Sequence, residues 1–314
     1  MTAIRVNKLT KVYGKVRALD GLDLEIPTGS VYGFLGPNGA GKTTTLRILA
    51  GLAKATSGSV DIAGKVMGRG NPKPSAKVGY LPEEPAFYGW MTPIEFMSYA
   101  GEIFDVQGKA LKERISTLLE LAGLNEVKKR RIGGFSRGMR QRLGIAQALI
   151  NQPEILLLDE PVSALDPTGR KEVLELIESL AGKCTVVMSS HILADVERVC
   201  DTVAIIDHGK CLVQDKKAAL MERYATNVVE LEIDPREGRS INDWKQVIFD
   251  LKGVNKGTLD GYTLRMSVED VHIALHSILE RLAQDNLPIV RLEQVKPSLE
   301  DVFMKLVNHG KEGI

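Results

Sequence analysis

Residues 36–43, GPNGAGKT, constrain the fold more than any other part of this sequence. They fit the pattern G-x-x-x-x-G-K-[ST] and stand between an apolar run, VYGFL, and a segment of helical character, KTTTLRILA. Glycines in such a loop let the backbone turn its N–H groups towards phosphate oxygens, and the helix behind adds its positive N-terminal end. The order strand, loop, helix therefore predicts a phosphate-binding loop in an α/β fold.

This loop supplies most of the candidate contacts to a nucleoside triphosphate. Lys42 is expected to reach the β and γ phosphates, and the hydroxyl of Thr43 to hold Mg²⁺. The full set of candidate contacts in the loop is Gly36, Pro37, Asn38, Gly39, Ala40, Gly41, Lys42, Thr43 and Thr44.

The run ILLLDE, residues 155–160, supplies a second half to the same site. If it is a strand, Asp159 emerges at the carboxyl edge of the sheet, where it can organise Mg²⁺. Glu160 follows one residue later and is a candidate general base for an attacking water. A solvated acid at a strand end is the alternative, but two carboxylates after an apolar strand favour the catalytic interpretation.

Short β-rich runs alternate with amphipathic helical segments through about the first 220 residues, which predicts an α/β fold with a mainly parallel sheet. Runs without alternation begin at Val31, Ile155 and Thr185 and indicate central strands buried on both faces. Predicted strands are 4–9, 22–26, 31–35, 60–62, 78–81, 155–158, 185–188 and 202–206. Predicted helices are 42–50, 93–104, 111–121, 137–150, 167–180 and 193–200.

The order of predicted strands and helices changes after residue 224. Residues 225–314 predict a small α+β domain that follows a first domain of residues 1–224. We expect a strand at 227–235, a helix at 244–253, a hairpin at 258–267 with an Asp-Gly turn, a helix at 269–286 and a strand at 288–295. A last helix is predicted at 298–307 with Ser298 as its N-cap.

Composition narrows the possible partners. The net charge is +1, so no general attraction to nucleic acid is evident, and no nucleic-acid partner is expected. No run of about 18 apolar residues occurs, and three cysteines without CxxC spacing fit a reducing compartment. We therefore expect a chain that stays in the cytoplasm.

Five motifs in order, GPNGAGKTT, FSRGM with RQR, LLLDEP, SALDP and SSH, resemble the ATP-binding subunit of an ABC transporter. The resemblance covers about residues 1–224 and implies a P-loop NTPase with an antiparallel β subdomain and a helical subdomain near 84–150. In that family the segment LSGGQ contacts the γ-phosphate held by a second subunit. Here Ser136 and Gly138 are kept, while Phe135, Arg137 and Met139 replace Leu, Gly and Gln. Ser136 would cap its helix in either case.

The resemblance implies further roles. Tyr13 matches the aromatic residue that stacks on adenine, although a core or edge-strand tyrosine is the alternative. Asp166 matches a contact to the opposing subunit, and His191 matches the histidine that steadies the attacking water. Glu83 stands where most members have glutamine and would keep an oxygen for Mg²⁺ while adding negative charge.

The implied function is ATP hydrolysis by a homodimer or heterodimer, at the cytoplasmic face of the cell membrane, that drives a separate membrane permease. The C-terminal PSLEDVFMKL resembles the extension of drug, antibiotic, polysaccharide or lipid exporters. A soluble ABC-type ATPase acting on ribosomes or nucleic acid is the alternative, but one phosphate loop and no sustained heptads disfavour it. A P-loop GTPase or small-molecule kinase is disfavoured, because N-K-x-D is absent and neither class explains SALDP or the serine-glycine signature. His272 and His276 lack a third metal ligand, so a metal site there is not expected.

Overall fold

The computed structural model describes residues 1–67, 77–224, 227–234, 241–285, 289–295 and 298–303. The chain divides into two compact units, Met1–Lys217 and Ala218–Ile314. The boundary predicted after residue 224 lies later in the chain than this division, at the end of the helix Lys217–Tyr224. Within the described residues, no helix has the length and apolarity needed to cross a bilayer.

The first unit alternates strands and helices along the chain. Its strands are β1 (Thr2–Tyr13), β2 (Val16–Pro27), β3 (Val31–Leu35), β4 (Ser57–Ile62), β5 (Lys65–Met67), β6 (Val78–Leu81), β7 (Ile155–Leu158), β8 (Thr185–Ser190), β9 (Thr202–Asp207) and β10 (Lys210–Lys216). Its helices are α1 (Lys42–Leu49), α2 (Pro93–Ile103), α3 (Gly108–Leu121), α4 (Arg137–Ala148), α5 (Pro167–Ser179) and α6 (Leu193–Val199), and α7 (Lys217–Tyr224) follows.

The central sheet has the described strand order β10-β9-β3-β8-β7-β6. Every pair from β9 to β6 is parallel, and β10 alone in this sheet pairs antiparallel, with β9. Strands β3, β7 and β8 are buried along their whole length, as their unbroken apolar runs predicted. The predicted α/β class with a mainly parallel sheet is confirmed.

A second, antiparallel sheet has the described order β2-β1-β4-β5. Its apolar side chains share one core with α1 and the central sheet, which includes Ile4, Leu22, Phe34, Leu46 and Leu157. Between β6 and β7 the described residues form helices and 3₁₀ turns and no strand. Helix α2 begins with a capping box in which Thr92 and Glu95 each satisfy the other's backbone N–H.

Three described elements, β5, β10 and α7, were not predicted from the sequence. Strand β10 reads KCLVQDK and is only half-buried, because it lies at the sheet edge against β9 alone. Without a buried face, its apolar residues need not alternate, and the sequence signal is weak.

The second unit begins in α7 and continues with β11 (Asn227–Ile233), α8 (Ile241–Phe249), β12 (Val254–Asp260), β13 (Thr263–Val268), α9 (Val271–Gln284) and β14 (Ile289–Val295). Its strand order is β12-β13-β11-β14, and each described pair is antiparallel. This is the split βαβ, or ferredoxin-like, arrangement. Ser298 accepts a hydrogen bond from the N–H of Asp301 at 3.3 Å, as expected of an N-cap. The predicted last helix is seen at 299–303, and its residues 304–307 lie outside the described residues.

Candidate active site

The loop at residues 36–43 runs from β3 into α1, as predicted. Gly39 and Gly41 have φ of +83° and +107°, in the left-handed region that favours glycine. A Cβ on Gly41 would lie 2.6 Å from Leu19 Cδ2 and 2.7 Å from the carbonyl oxygen of Ala18. The backbone is therefore free to curve around an anion only because these side chains are missing.

Lys42 is held at the centre of this loop with only 6% of the residue exposed. Its Nζ donates to the carbonyl oxygens of Gly36 at 2.7 Å and Pro37 at 3.3 Å. The same ammonium lies 3.2 Å from Glu160 Oε1. The positive charge is thus fixed inside the loop by contacts within one chain.

Asp159 follows β7 and is almost completely buried. Its Oδ1 accepts hydrogen bonds from Ser189 Oγ at 2.8 Å and Thr43 Oγ1 at 3.1 Å. Burial raises the pKa of Asp159, and the hydroxyls of Ser189 and Thr43 work against that rise. The carboxylate and the Thr43 hydroxyl are oxygen ligands of the kind that Mg²⁺ prefers, so the donor set fits this ion.

Glu160 has φ of +46°, a costly conformation for a residue with a side chain. Its N–H donates to Ser189 Oγ at 2.9 Å. Its carboxylate lies between two nitrogens, with Oε2 at 2.9 Å from His191 Nδ1 and Oε1 at 3.2 Å from Lys42 Nζ. These contacts hold a buried carboxylate in one orientation at the mouth of the loop.

A cleft of about 610 Å³ opens above these groups. Tyr13 lies half-exposed at one side, with Lys11 Nζ 4.6 Å from its ring centroid. The predicted site residues that line the cleft are Tyr13, Pro37, Asn38, Gly39, Gly41, Lys42, Thr43, Thr44, Glu83, Glu160 and His191. The segments that follow β3, β6, β7 and β8 all reach this cleft, because the carboxyl ends of parallel strands share one sheet edge.

Gly36 and Ala40 support the loop and are not among the described residues that line the cleft. A Cβ on Gly36 would lie 2.4 Å from the carbonyl oxygen of Ile206. The carbonyl of Ala40 accepts from the N–H of Gly209 at 3.0 Å, which ties the loop to the turn after β9.

Ser136, Gly138 and Asp166 also lie outside this cleft in the described part of the chain. Ser136 is exposed and caps α4, where its Oγ accepts from the N–H of Met139 at 3.2 Å. Asp166 is exposed at the N-cap of α5. A Cβ on Gly138 would lie 3.3 Å from Gly169 Cα, so the first turns of α4 and α5 touch through two glycines.

A second cleft of about 310 Å³ separates α4 from the segment that carries Glu83. Gln141 on α4 is 1% exposed and donates from Nε2 to the carbonyl oxygen of Glu83 at 2.8 Å. Arg137 Nη2 lies 3.8 Å from Glu84 Oε1. The side chain of Arg137 therefore reaches towards this segment.

Sequence reasoning missed Ser189, Gln141 and the pair Arg170 and Asp195. Arg170 Nη2 lies 2.7 Å from Asp195 Oδ1 and joins α5 to α6. Burial also raises the pKa of Asp195. Only Ser189 had a local signal, because it precedes His191 by two residues in the SSH motif. The other three depend on contacts between distant segments.

The predicted absence of a metal site at His272 and His276 is not tested by the structure. Both residues are exposed on α9. Among the described residues, no cluster of three or more potential metal-ligating side chains was found.

A phosphate-binding loop, a buried lysine, and adjacent carboxylates at the carboxyl edge of a parallel sheet define a P-loop nucleoside triphosphatase. The comparisons narrow this class. The family model described as ABC transporter matches residues 19–163, and that described as ATP-binding protein DrrA1-3-like, C-terminal domain, matches residues 216–307.

Two full-length relatives and one solved structure agree with these matches. The ABC transporter ATP-binding protein YxlF of Bacillus subtilis is 38% identical, covering 97% of this chain and 99% of its own. The bacitracin transport ATP-binding protein BcrA of Bacillus licheniformis is 36% identical, covering 99% of each. A solved ATP binding subunit of an ABC transporter is 26% identical with a TM-score of 0.63, covering 77% of this chain and 97% of that one. The chain belongs to the ABC transporter family, as one of its ATP-binding, ATP-hydrolysing subunits.

Proposed function

We propose that this chain drives an export permease as one half of a pair that closes on ATP. The observation that carries the proposal is the Glu160 carboxylate, buried and held between Lys42 Nζ at 3.2 Å and His191 Nδ1 at 2.9 Å. A carboxylate in this place can accept a proton from an attacking water, a role that typically contributes about 10²–10⁴-fold. His191 orients this base and lines the same cleft.

Mg²⁺ would be held by the Thr43 hydroxyl and the Asp159 carboxylate, with Glu83 as a further oxygen donor at the cleft wall. When bound, the ion neutralises charge on the phosphates. The chain's own contribution is a fixed geometry, since Asp159 is already oriented by Ser189 and Thr43. Tyr13 offers a half-exposed ring on which adenine can stack.

The nucleotide-binding site would be completed by a second chain. Ser136 and Asp166 are exposed at the starts of α4 and α5, outside the cleft that holds this chain's own Lys42. A helix N-terminus with free N–H groups favours an anion. We infer that Ser136 and Gly138 face the γ-phosphate held by the partner, either a second copy or a close relative. ATP then favours closure because these contacts exist only in the closed pair.

The membrane partner would dock on the helical segment between β6 and β7. Large apolar side chains are exposed there, and three form one aromatic group, with Tyr88 and Trp90 ring centroids 5.9 Å apart and Tyr88 and Tyr99 centroids 6.1 Å apart. Trp90 is 65% exposed, and such patches on otherwise polar surfaces mark interaction sites. The chain would then lie at the cytoplasmic face of the cell membrane.

Export is proposed because the second unit matches a DrrA-like C-terminal domain and BcrA is a bacitracin transport protein. Affinity purification from membranes of the source cell tests the partner. Recovery of a polytopic membrane protein is expected, and recovery of ribosomes or nucleic acid without such a protein would favour the soluble alternative.

Glu160→Gln tests the proposed base. The variant should bind ATP, form a longer-lived dimer and lose turnover by at least about 10²-fold, because the amide cannot accept the proton. Glu154→Gln is the matched control, since Glu154 lies at the opposite end of β7, exposed and paired with Lys77. Wild-type turnover of Glu160→Gln, measured by phosphate release, would remove the assignment.

A further inference from the structure

Strand β14 forms one edge of the sheet in the second unit. It pairs with β11 on one side, and no described strand pairs with its other side. Ile289 and Val290 at its start are 42% and 56% exposed. An edge strand directs unpaired N–H and C=O groups outward and can accept another strand.

The two faces of β14 differ in chemistry. Leu292 packs on the core formed with α8 and α9. On the other face, Arg291 lies opposite Glu232 of β11, and Glu293 lies opposite Glu230. Arg291 reaches Glu230 and Glu232 at 3.5 Å each and Glu293 at 3.0 Å. Glu293 therefore faces a like charge on its inner side, and Arg291 is its only ion-pair partner among the described residues.

We propose that β14 is a homodimer contact, where β14 of a second copy of this chain pairs antiparallel about a twofold axis at Leu292. The pairing joins two four-stranded sheets into one. It places Arg291 opposite Glu293 of the second copy and Leu292 opposite its own counterpart. Each Glu293 then gains a guanidinium on the side away from Glu230.

The charges select this register over its neighbours. We take the pairing in which residues of the same face meet, because it puts the helices of both copies on one side of the joined sheet. Shifting the axis to Arg291 sets two arginines opposite each other, and shifting it to Glu293 sets two glutamates opposite each other. Like charges directly opposite are destabilising, whereas opposite charges stabilise the pair. Among these registers, the charges of the segment IVRLEQV are thus complementary when the axis lies at Leu292.

This contact goes beyond the proposed function, because it involves no nucleotide and none of the residues of the cleft. The same strand of each copy forms the contact, as an interface with twofold symmetry requires. A single added strand pair buries less than a standard interface of about 1,200–2,000 Å², so the contact is weak when isolated. It would keep two ATP-binding units together while the nucleotide-dependent interface is open.

Disulfide trapping of the full-length chain, without nucleotide and with chelator, tests the register. Arg291→Cys combined with Glu293→Cys should yield a covalent dimer on mild oxidation, because opposite residues lie about 4.5–5.5 Å apart. Each single variant should give no more dimer than wild type, since a residue and its own counterpart are then about 7–8 Å apart, beyond disulfide reach. The native thiols give a low background, because burial raises the pKa of Cys211 to about 11 and also raises that of Cys200.

Charge reversal supplies a second measurement by sedimentation velocity. Arg291→Glu and Glu293→Arg should each weaken self-association about tenfold, and the double reversal should restore it, because opposite charges face each other again. Two crosslinking results would overturn the proposal: single cysteine variants that crosslink as well as the double cysteine variant, or a double cysteine variant that does not crosslink. A double charge reversal that associates no better than the single reversals would also overturn it. Because ATP is absent, neither result depends on Ser136 or Glu160.

Discussion

The carboxyl edge of the central sheet and the start of α4 differ in how fully their polar groups are paired within one chain. At the edge, Glu160 contacts both Lys42 and His191 of its own chain, and Asp159 is held by two hydroxyls. At the start of α4, the exposed Ser136 caps its own helix. Buried charges must be paired inside the fold, whereas a helix N-terminus can stay open to water. The difference fits our proposal that the hydrolytic groups are preorganised within one chain, while the start of α4 binds an anion brought by a second chain.

The largest expected effect separates the two roles of Ser136. Ser136→Asp keeps a good N-cap, so thermal stability should stay near wild type. Its negative charge would repel the partner's γ-phosphate, and turnover should fall on the order of 10²-fold, as when an oxyanion donor is lost. Ser136→Ala should lose about 1 kcal/mol of stability with the cap.

Thr92→Asp at the N-cap of α2 is the matched control and should leave turnover of the isolated chain unchanged. ATPase rates measured against protein concentration check the result. If Ser136→Asp hydrolyses ATP like wild type, the open end of α4 plays no part in the site and the comparison fails.

Ser189→Ala tests the carboxyl edge of the sheet, and we expect a smaller loss of turnover. The buried hydroxyl donates to Asp159 at 2.8 Å and accepts from the N–H of Glu160 at 2.9 Å. Removing it leaves that buried N–H unsatisfied, which costs about 1–3 kcal/mol. Turnover should fall about tenfold as Glu160 loses part of its orientation, less than the roughly 10²-fold that a full displacement by about 1 Å can cost.

Thermal denaturation and phosphate release measure both effects. Ser179→Ala, which removes a hydroxyl bonded to the carbonyl of Leu176 on α5, is the control and should leave turnover intact. Full activity of Ser189→Ala would show that the carboxyl edge does not need this hydroxyl for its geometry.

The smallest effect on ATP hydrolysis is expected at Tyr13, which lies at one side of the cleft above Lys42 and Glu160. Tyr13→Ala should raise the KM for ATP about 2- to 10-fold with kcat unchanged, since aromatic stacking contributes about 0.5–1.5 kcal/mol. Tyr13→Phe should match wild type because only the ring is needed. Tyr262→Ala, a similarly exposed tyrosine of the second unit, is the control. An unchanged KM in Tyr13→Ala would favour the interpretation of Tyr13 as a strand residue only.

Local chemistry explains why much of this fold was predictable. The phosphate loop needs glycines at fixed spacing, and doubly buried strands need unbroken apolar runs, so both leave signals in short segments. The helix starts at Thr92 and Ser136 follow from single capping residues. Strands β5 and β10 lack such signals, because pairing at a sheet edge depends on the neighbouring strand and not on their own pattern.

The amino-acid sequence by itself determined the fold class, the phosphate loop and the adjacent carboxylates, because each rests on residues close together in the chain. Only the tertiary structure decided which groups meet across the chain. Ser189 bridges Asp159 and Glu160, Gln141 holds the carbonyl of Glu83, and two glycines bring α4 against α5. Such contacts join segments far apart in sequence, and their distances and burial arise only when the whole chain packs.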